Sequence, residues 1–221
     1  MEYTVIRQKR KTFAITVNDH LQVIVKVPKY LAKRDIQQLM TEHEAWIQKT
    51  IEQKKAHIES NDWFKTGQIL YFGQCFLVKC EEGASQVPHV SFEPEKGFTV
   101  WSKKEEEARH LMAHYYREEA KSYLTELTKK YGQMIGVNYQ KITIRNQTTR
   151  WGSCSTRGNL SYNLKLLCAP SEMIEYVVLH EVMHLKYFNH SEAFWKAIEE
   201  VMPNYRHAVY YFRKFGRNFI I

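Results

Sequence analysis

The chain has 221 residues, 44% of them hydrophobic and 14% aromatic, which is enough to bury a sizeable core and excludes a disordered polypeptide. No apolar run approaches the roughly 18 residues needed to cross a bilayer, and Met1–Arg7 lacks a signal-peptide layout, so a soluble, cytoplasmic protein without membrane contact is expected. The formal charge is +8, with Arg7, Lys9, Arg10 and Lys11 near one end and Arg206, Arg213, Lys214 and Arg217 near the other. Such a basic surface attracts nucleic acid, nucleotides or acidic proteins, although no recognised nucleic-acid module accompanies it.

Phe13, Ile15 and Val17, then Leu21, Val23, Val25 and Val27, alternate on either side of Asn18-Asp19, which predicts a hairpin ending at Pro28. From about Lys33 to Glu59, Ile36, Leu39, Met40, His43, Ala45, Trp46, Ile47 and Ile51 mark the apolar stripe of one helix. Between Gly67 and Trp101, short β-type runs (Ile69 to Phe72, Phe76 and Val78, Val90 and Phe92, Phe98 and Val100) are separated by Gly73, Gly83, Pro88, Pro94 and Gly97. Residues 1–102 therefore read as a β-rich unit carrying one helix, without a catalytic constellation of its own.

The period changes at Lys103. Ala108, Leu111, Met112, Tyr115, Tyr116, Tyr123, Leu124, Leu127 and Tyr131 predict a long helix stopping at Gly132, the start of a second unit over 103–221. His110 and His114 lie four apart on it, but no carboxylate separates them and Met112 and Ala113 suggest packing, so they read as ordinary helix histidines. Lys141–Ile144 and Leu160–Leu164 read as strands flanking a turn region from Arg150 to Gly158. Phe194, Trp195, Ile198 and Val201 mark a helix broken at Pro203-Asn204, and Tyr205, Ala208, Val209, Phe212 and Phe215 a final one. The four cysteines, Cys75, Cys80, Cys154 and Cys168, include no Cys-x-x-Cys pair and are expected to be reduced and mostly buried. Cys75 and Cys80 should face opposite sides of one strand.

The chemistry concentrates in His180-Glu181-Val182-Met183-His184. Residues four apart share a helix face, so His180 and His184 can offer imidazole nitrogens to one cation while Glu181 stands beside it. A catalytic zinc takes three protein ligands and keeps a position for water, whose pKa it lowers to roughly 7. Glu181 is too close along the helix to serve comfortably as the third ligand and is read as the general base that activates this water. His190 is the economical third ligand. Phe188-Asn189-His190-Ser191 resembles a helix end, with Asn189 able to take the left-handed conformation and Ser191 an N-cap for the next helix.

The run Arg150-Trp151-Gly152-Ser153-Cys154-Ser155, then Gly158-Asn159-Leu160, Asn163, Leu166, Pro170, Tyr176-Val177-Val178, His180-Glu181, His184-Leu185, Asn189-His190-Ser191 and Phe194-Trp195 resembles the YgjP-like metallopeptidase family, small zincins related to the SprT and WLM metalloproteases. The likeness covers most of the chain from about Lys141 onward. It implies a mostly helical zincin-like domain holding a small sheet, which with the β-rich N-terminal unit read from the pattern makes an α+β fold. It also implies one Zn2+ per chain on His180, His184 and His190, Glu181 as acid/base, and a peptide or protein substrate. By the same resemblance Asn159 to Leu164 would be the sheet edge that receives an extended peptide; Tyr162 and Leu164 could equally pack on the active helix.

A donor to the developing oxyanion is expected from Arg150, Tyr162, Tyr187, Tyr205 or His207, which sequence alone does not rank. Two other functions fit parts of the pattern. A metal-dependent hydrolase of nucleotides or other small molecules would use the basic charge. A nucleic-acid-associated module with a structural zinc would need a fourth protein ligand such as Cys154 or Cys168.

Overall fold

The computed structural model describes residues 1–18, 20–82, 87–147, 149–216, 219 and 221. Asp19 of the expected hairpin turn, Gly83 of the expected loop and Arg217 of the basic cluster lie outside the described residues. The fold is α+β and divides into two compact units, Met1–Ser60 and Asn61–Ile221.

In the first unit, strands β1 (Thr4–Gln8), β2 (Ala14–Val17) and β3 (Val23–Pro28) form a sheet in the order β1-β3-β2. β2 and β3 are the expected antiparallel hairpin, and β1 lies parallel to β3. The turn is held by Asn18, whose Oδ1 accepts the backbone N–H groups of His20 and Gln22 at 3.0 and 2.8 Å. The single helix expected over Lys33–Glu59 is two: α1 (Lys33–Glu42) and α2 (Glu44–Asn61). The break falls at His43, whose backbone N–H and ring Nδ1 both approach the Leu39 carbonyl, at 3.2 and 2.9 Å. Trp46, assigned to the apolar stripe, is 49% exposed, while Val17, Val23, Val25, Val27, Ile36, Met40 and Ile47 form this unit's core.

The second unit opens with a short helix, α3 (Trp63–Thr66), and a four-stranded sheet of order β4-β5-β7-β6 from β4 (Gln68–Tyr71), β5 (Gln74–Cys80), β6 (Val90–Glu93) and β7 (Gly97–Val100). The sequence pattern groups these strands with residues 1–102. Their Ile69, Tyr71, Phe98 and Val100 instead share one core with the following helices. α4 (Glu105–Ile135) contributes Ala108, Met112, Tyr116, Ala120, Leu124, Leu127 and Tyr131 to that core, one stripe at helical spacing. It continues through Gly132 and stops at Gly136, which takes the left-handed conformation with φ 74°.

β8 (Lys141–Arg145), β9 (Gly152–Cys154) and β10 (Asn159–Asn163) form the second small sheet, in the order β8-β10-β9. β10 is parallel to β8 and antiparallel to β9, so the strand expected to be a substrate-binding edge is central and paired on both sides. Tyr162 and Leu164 are buried, and the Tyr162 hydroxyl lies 2.9 Å from Thr128 Oγ1. A 3-10 turn over Leu164–Cys168 leads into α5 (Ser171–Met183), which packs against α4, β9, β10, α6 (Glu192–Val201) and α7 (Tyr205–Phe215). All four cysteines are free thiols. Cys168 alone is fully buried, and Cys75 is exposed on β5, a strand whose other face carries Cys80.

The start of α5 is anchored by the β4–β5 turn. Phe72 donates its N–H to the Leu167 carbonyl at 2.7 Å, and Gly73 lies so close to Pro170 that an added Cβ would meet the ring at 2.6 Å. Gly73 also has φ +77°, a conformation that costs other residues roughly 1–3 kcal/mol. Gly136 has nearly the same φ, +74°, with nothing within 4 Å of its Cβ position. Gly136→Ala should therefore cost about 1 kcal/mol, whereas Gly73→Ala, which adds the clash with Pro170, should cost about 2–4 kcal/mol. Chemical denaturation of the two variants measures the difference; equal losses would mean that the β4–β5 turn does not bear on α5.

Candidate metal centre

α5 is buried along almost its whole length, with Met173, Ile174, Tyr176, Val177, Val178, Leu179, Val182 and Met183 in the core. That burial fixes His180 and His184 on the side facing the turn before α6. The helix ends earlier than the sequence suggests: His184 itself is the C-terminal boundary, and turns follow through Tyr187. Asn189 is not left-handed, and Ser191 holds the N-cap position of α6 without a side-chain cap hydrogen bond. His190 nevertheless returns to α5 as expected. Its Nε2 lies 3.0 Å from His180 Nε2 and 3.1 Å from His184 Nε2.

These three residues form a group able to hold a metal ion, and among the described residues no Cys154, Cys168, His110 or His114 atom belongs to it. The donor chemistry fits a cation. A tetrahedral zinc, with bonds of 2.0–2.1 Å, sets its nitrogens about 3.3 Å apart. His184 Nδ1 lies 3.0 Å from the Tyr187 carbonyl, which can only accept, so that ring nitrogen carries the proton and Nε2 presents a bare lone pair. Tyr176 Oη lies 3.5 Å from His180 Nδ1, where it can play the same part. Burial, then the neighbouring charges of His184 and His190, push the His180 pKa down to about 3, and partial desolvation, then the His184 charge, lowers that of the more exposed His190. The His180 ring is thus neutral at ordinary pH, the form that binds metal, and the shift at His190 favours the same form.

Glu181 is 7% exposed and stands outside the ligand group. Gly152 of β9 makes room for it: a Cβ at that position would lie 2.5 Å from Glu181 Cγ and 2.7 Å from its Oε1. Asn163 holds the segment before β9, donating from Nδ2 to the carbonyls of Gln147 and Arg150, both at 2.8 Å. The resulting cleft of about 350 Å³ is lined by residues that include Arg150, Trp151, Gly152, Tyr176, His180 and Glu181. A neighbouring hollow of about 420 Å³ is lined by Trp195, Tyr205, Arg206 and Val209, and Val209 borders both.

Of the expected oxyanion donors, Arg150 and Tyr205 line these openings. Tyr162 is committed to Thr128, Tyr187 contributes its carbonyl to His184, and His207 lines neither opening. Sequence reasoning missed Tyr176 as a partner of His180 and Gly152 as the space for Glu181. Tyr176 lies one helical turn before His180, a spacing that could have pointed to it.

Burial pushes the Glu181 carboxyl up to about 7 from an ordinary 4.5, against the opposing pull of the Arg150 charge. Below pH 4.5 the group is protonated in both folded and unfolded chains and costs nothing. As pH rises through about 7 the folded protein must carry a buried charge, and this contribution to stability is lost. Metal-free Glu181→Gln should therefore be more stable than metal-free wild type at pH 8, by on the order of 2 kcal/mol, with the gap closing towards pH 4.5. Denaturant titrations at the two pH values test this; a gap independent of pH would contradict it.

A family model described as YgjP-like, metallopeptidase domain, matches residues 11–214. Among solved structures the chain is similar to the metallopeptidase zymogen abylysin of Pyrococcus abyssi, with 23% identity and a TM-score of 0.39, over 44% of this chain and 99% of that one. Comparison with curated proteins gives no match. With the family model running through both compact units and nearly the whole sequence, the chain belongs to the YgjP-like metallopeptidase family.

Proposed function

We propose that the chain is a zinc-dependent peptidase that holds one zinc on His180, His184 and His190 and uses Glu181 as general base and then general acid. The observation that carries this reading is the convergence of three Nε2 atoms beside a buried carboxylate that is not itself a ligand. When bound, the metal supplies Lewis acidity and lowers the pKa of the attacking water.

Glu181 takes a proton from that water on a carboxylate oxygen as the water oxygen bonds to the scissile carbonyl carbon. It then delivers the proton to the amine nitrogen as the C–N bond breaks. A pKa lifted towards neutrality by burial suits both halves of this transfer. Arg150, at the rim of the same cleft, offers a cationic donor to the carbonyl oxygen as charge develops there.

The substrate is a peptide or protein segment bound in extended form. β9 is an outer strand of its sheet, and the bonds from Asn163 N–H to Trp151 O and from Ser155 N–H to Asn159 O turn alternate residues towards β10. Gly152 and Cys154 therefore direct their backbone N–H and C=O groups outward, next to Glu181, where another strand can add. The ligand group contains no carboxylate, which gives a phosphohydrolase reading no support, and neither Cys154 nor Cys168 closes the site as a structural zinc would require.

Two variants test the mechanism with fluorogenic peptides and metal analysis. Glu181→Gln should retain zinc and lose turnover by at least roughly 10²-fold. Gly152→Ala, whose methyl group would displace the Glu181 side chain, should also retain zinc while kcat falls about 10²-fold. Full activity in Glu181→Gln would sink the proposed role of this residue.

A further inference from the structure

The three candidate ligands are held by different devices. His180 and His184 belong to a buried helix, and each has an oxygen near its second ring nitrogen, from Tyr176 and Tyr187 respectively. His190 has neither advantage. It lies between α5 and α6 outside regular structure, its side chain is exposed, and among the described residues its Nδ1 has no hydrogen-bond partner.

What orients its ring is aromatic contact. The His190 imidazole stacks on Trp195, with centroids 5.5 Å apart and planes 21° from parallel, and meets Phe194 edge-on at 5.0 Å. Trp195 stacks in turn on Tyr205 at 5.5 Å and 18°, and Tyr205 on Tyr176 at 6.1 Å and 19°. Near-parallel rings thus lead from the third candidate ligand, through α6 and α7, to the tyrosine beside the first. Tyr205 is buried, so its ring is a fixed backstop, whereas Trp195 is partly exposed.

We infer that Trp195 is a positioning residue for the metal, fixing the plane of the His190 imidazole by stacking, where each of the other two candidate ligands has an oxygen beside its second ring nitrogen. The inference rests on the proposed three-histidine metal site. Stacking fixes the tilt of a ring while leaving it free to slide, a weaker restraint than a hydrogen bond to Nδ1. Tyr205 removes part of that freedom by closing the far side of Trp195. A second role for Trp195 is also on view, since it lines the hollow beside the cleft with Tyr205, Arg206 and Val209. The two roles separate experimentally: a wall residue governs KM for peptides, whereas a positioning residue governs metal affinity with no substrate present.

The test is zinc affinity by chelator competition for wild type, Trp195→Ala, Trp195→Phe and Val209→Ala, with thermal unfolding of each metal-free protein and visible spectra after cobalt substitution. Trp195→Ala should bind zinc about 10–100-fold more weakly, the range expected when a ligand loses its orienting partner. Trp195→Phe, which keeps a flat ring, should recover most of the loss. Val209→Ala, which changes the same hollow without touching His190, should bind zinc as wild type does.

Cobalt in Trp195→Ala should show weaker visible bands as one imidazole is replaced by solvent, while metal-free unfolding changes little. Should Trp195→Ala fail to fold, Trp195→Leu keeps the apolar volume without the flat ring and carries the same prediction. Unchanged zinc affinity in the Ala or Leu variant overturns the inference and leaves Trp195 as a wall of the hollow. Equal losses in Trp195→Phe and Trp195→Ala, with a matching fall in metal-free stability, overturn it in favour of general packing. Absence of zinc binding by wild type would instead bring down the proposed metal site, and the inference with it.

Discussion

The Nε2 atom of His190 lies 3.0 Å from that of His180 and 3.1 Å from that of His184, and imidazole lone pairs at such spacing repel one another unless a proton or a cation stands between them. Much of the second unit serves to hold this arrangement. α5 is buried on nearly every face, its start rests on the β4–β5 turn through Gly73 and Pro170, and its end carries His184 into a turn whose Tyr187 carbonyl sets the ring. Two candidate ligands are thereby tied to the most buried helix of the unit, and the third arrives from a segment held by ring contacts.

Glu181 carries the opposite cost. A carboxylate with 7% exposure is disfavoured in its charged form, and space for it exists only because residue 152 has no side chain. The sheet and the helix are coupled at this point. β9 supplies the outward-facing backbone beside the carboxylate, and Asn163 on β10 fixes the approach to β9 through the Gln147 and Arg150 carbonyls. The arrangement trades stability for a carboxyl group poised near neutrality.

The candidate site was more legible in the sequence than the elements around it. Spacing alone groups His180, Glu181 and His184, and the punctuation before Ser191 suggests that His190 folds back, although the helix ends at His184 and Asn189 is not the left-handed cap. Periodicity finds the β2–β3 hairpin, α4, α6 and α7. It does not find the break at His43, because the apolar stripe runs on through a residue whose ring also bonds the Leu39 carbonyl. Gly132 looks like a helix stop, yet Gly136 is the one with the left-handed conformation. The order β8-β10-β9 is set by long-range pairing, which leaves no local mark on Asn159–Asn163, so a central strand reads like an edge. The roles of Tyr176, Gly152 and Trp195 emerge only when α5, β9, α6 and α7 come together.

The central claim, an open three-imidazole zinc site, is tested most directly by X-ray absorption at the zinc edge on the purified 221-residue chain loaded with zinc and dialysed. The account predicts one zinc per chain, with a first shell of three imidazole nitrogens completed by one or two oxygen ligands from water. A sulfur scatterer at about 2.3 Å, the distance of a cysteine ligand, or failure to retain stoichiometric zinc would contradict it.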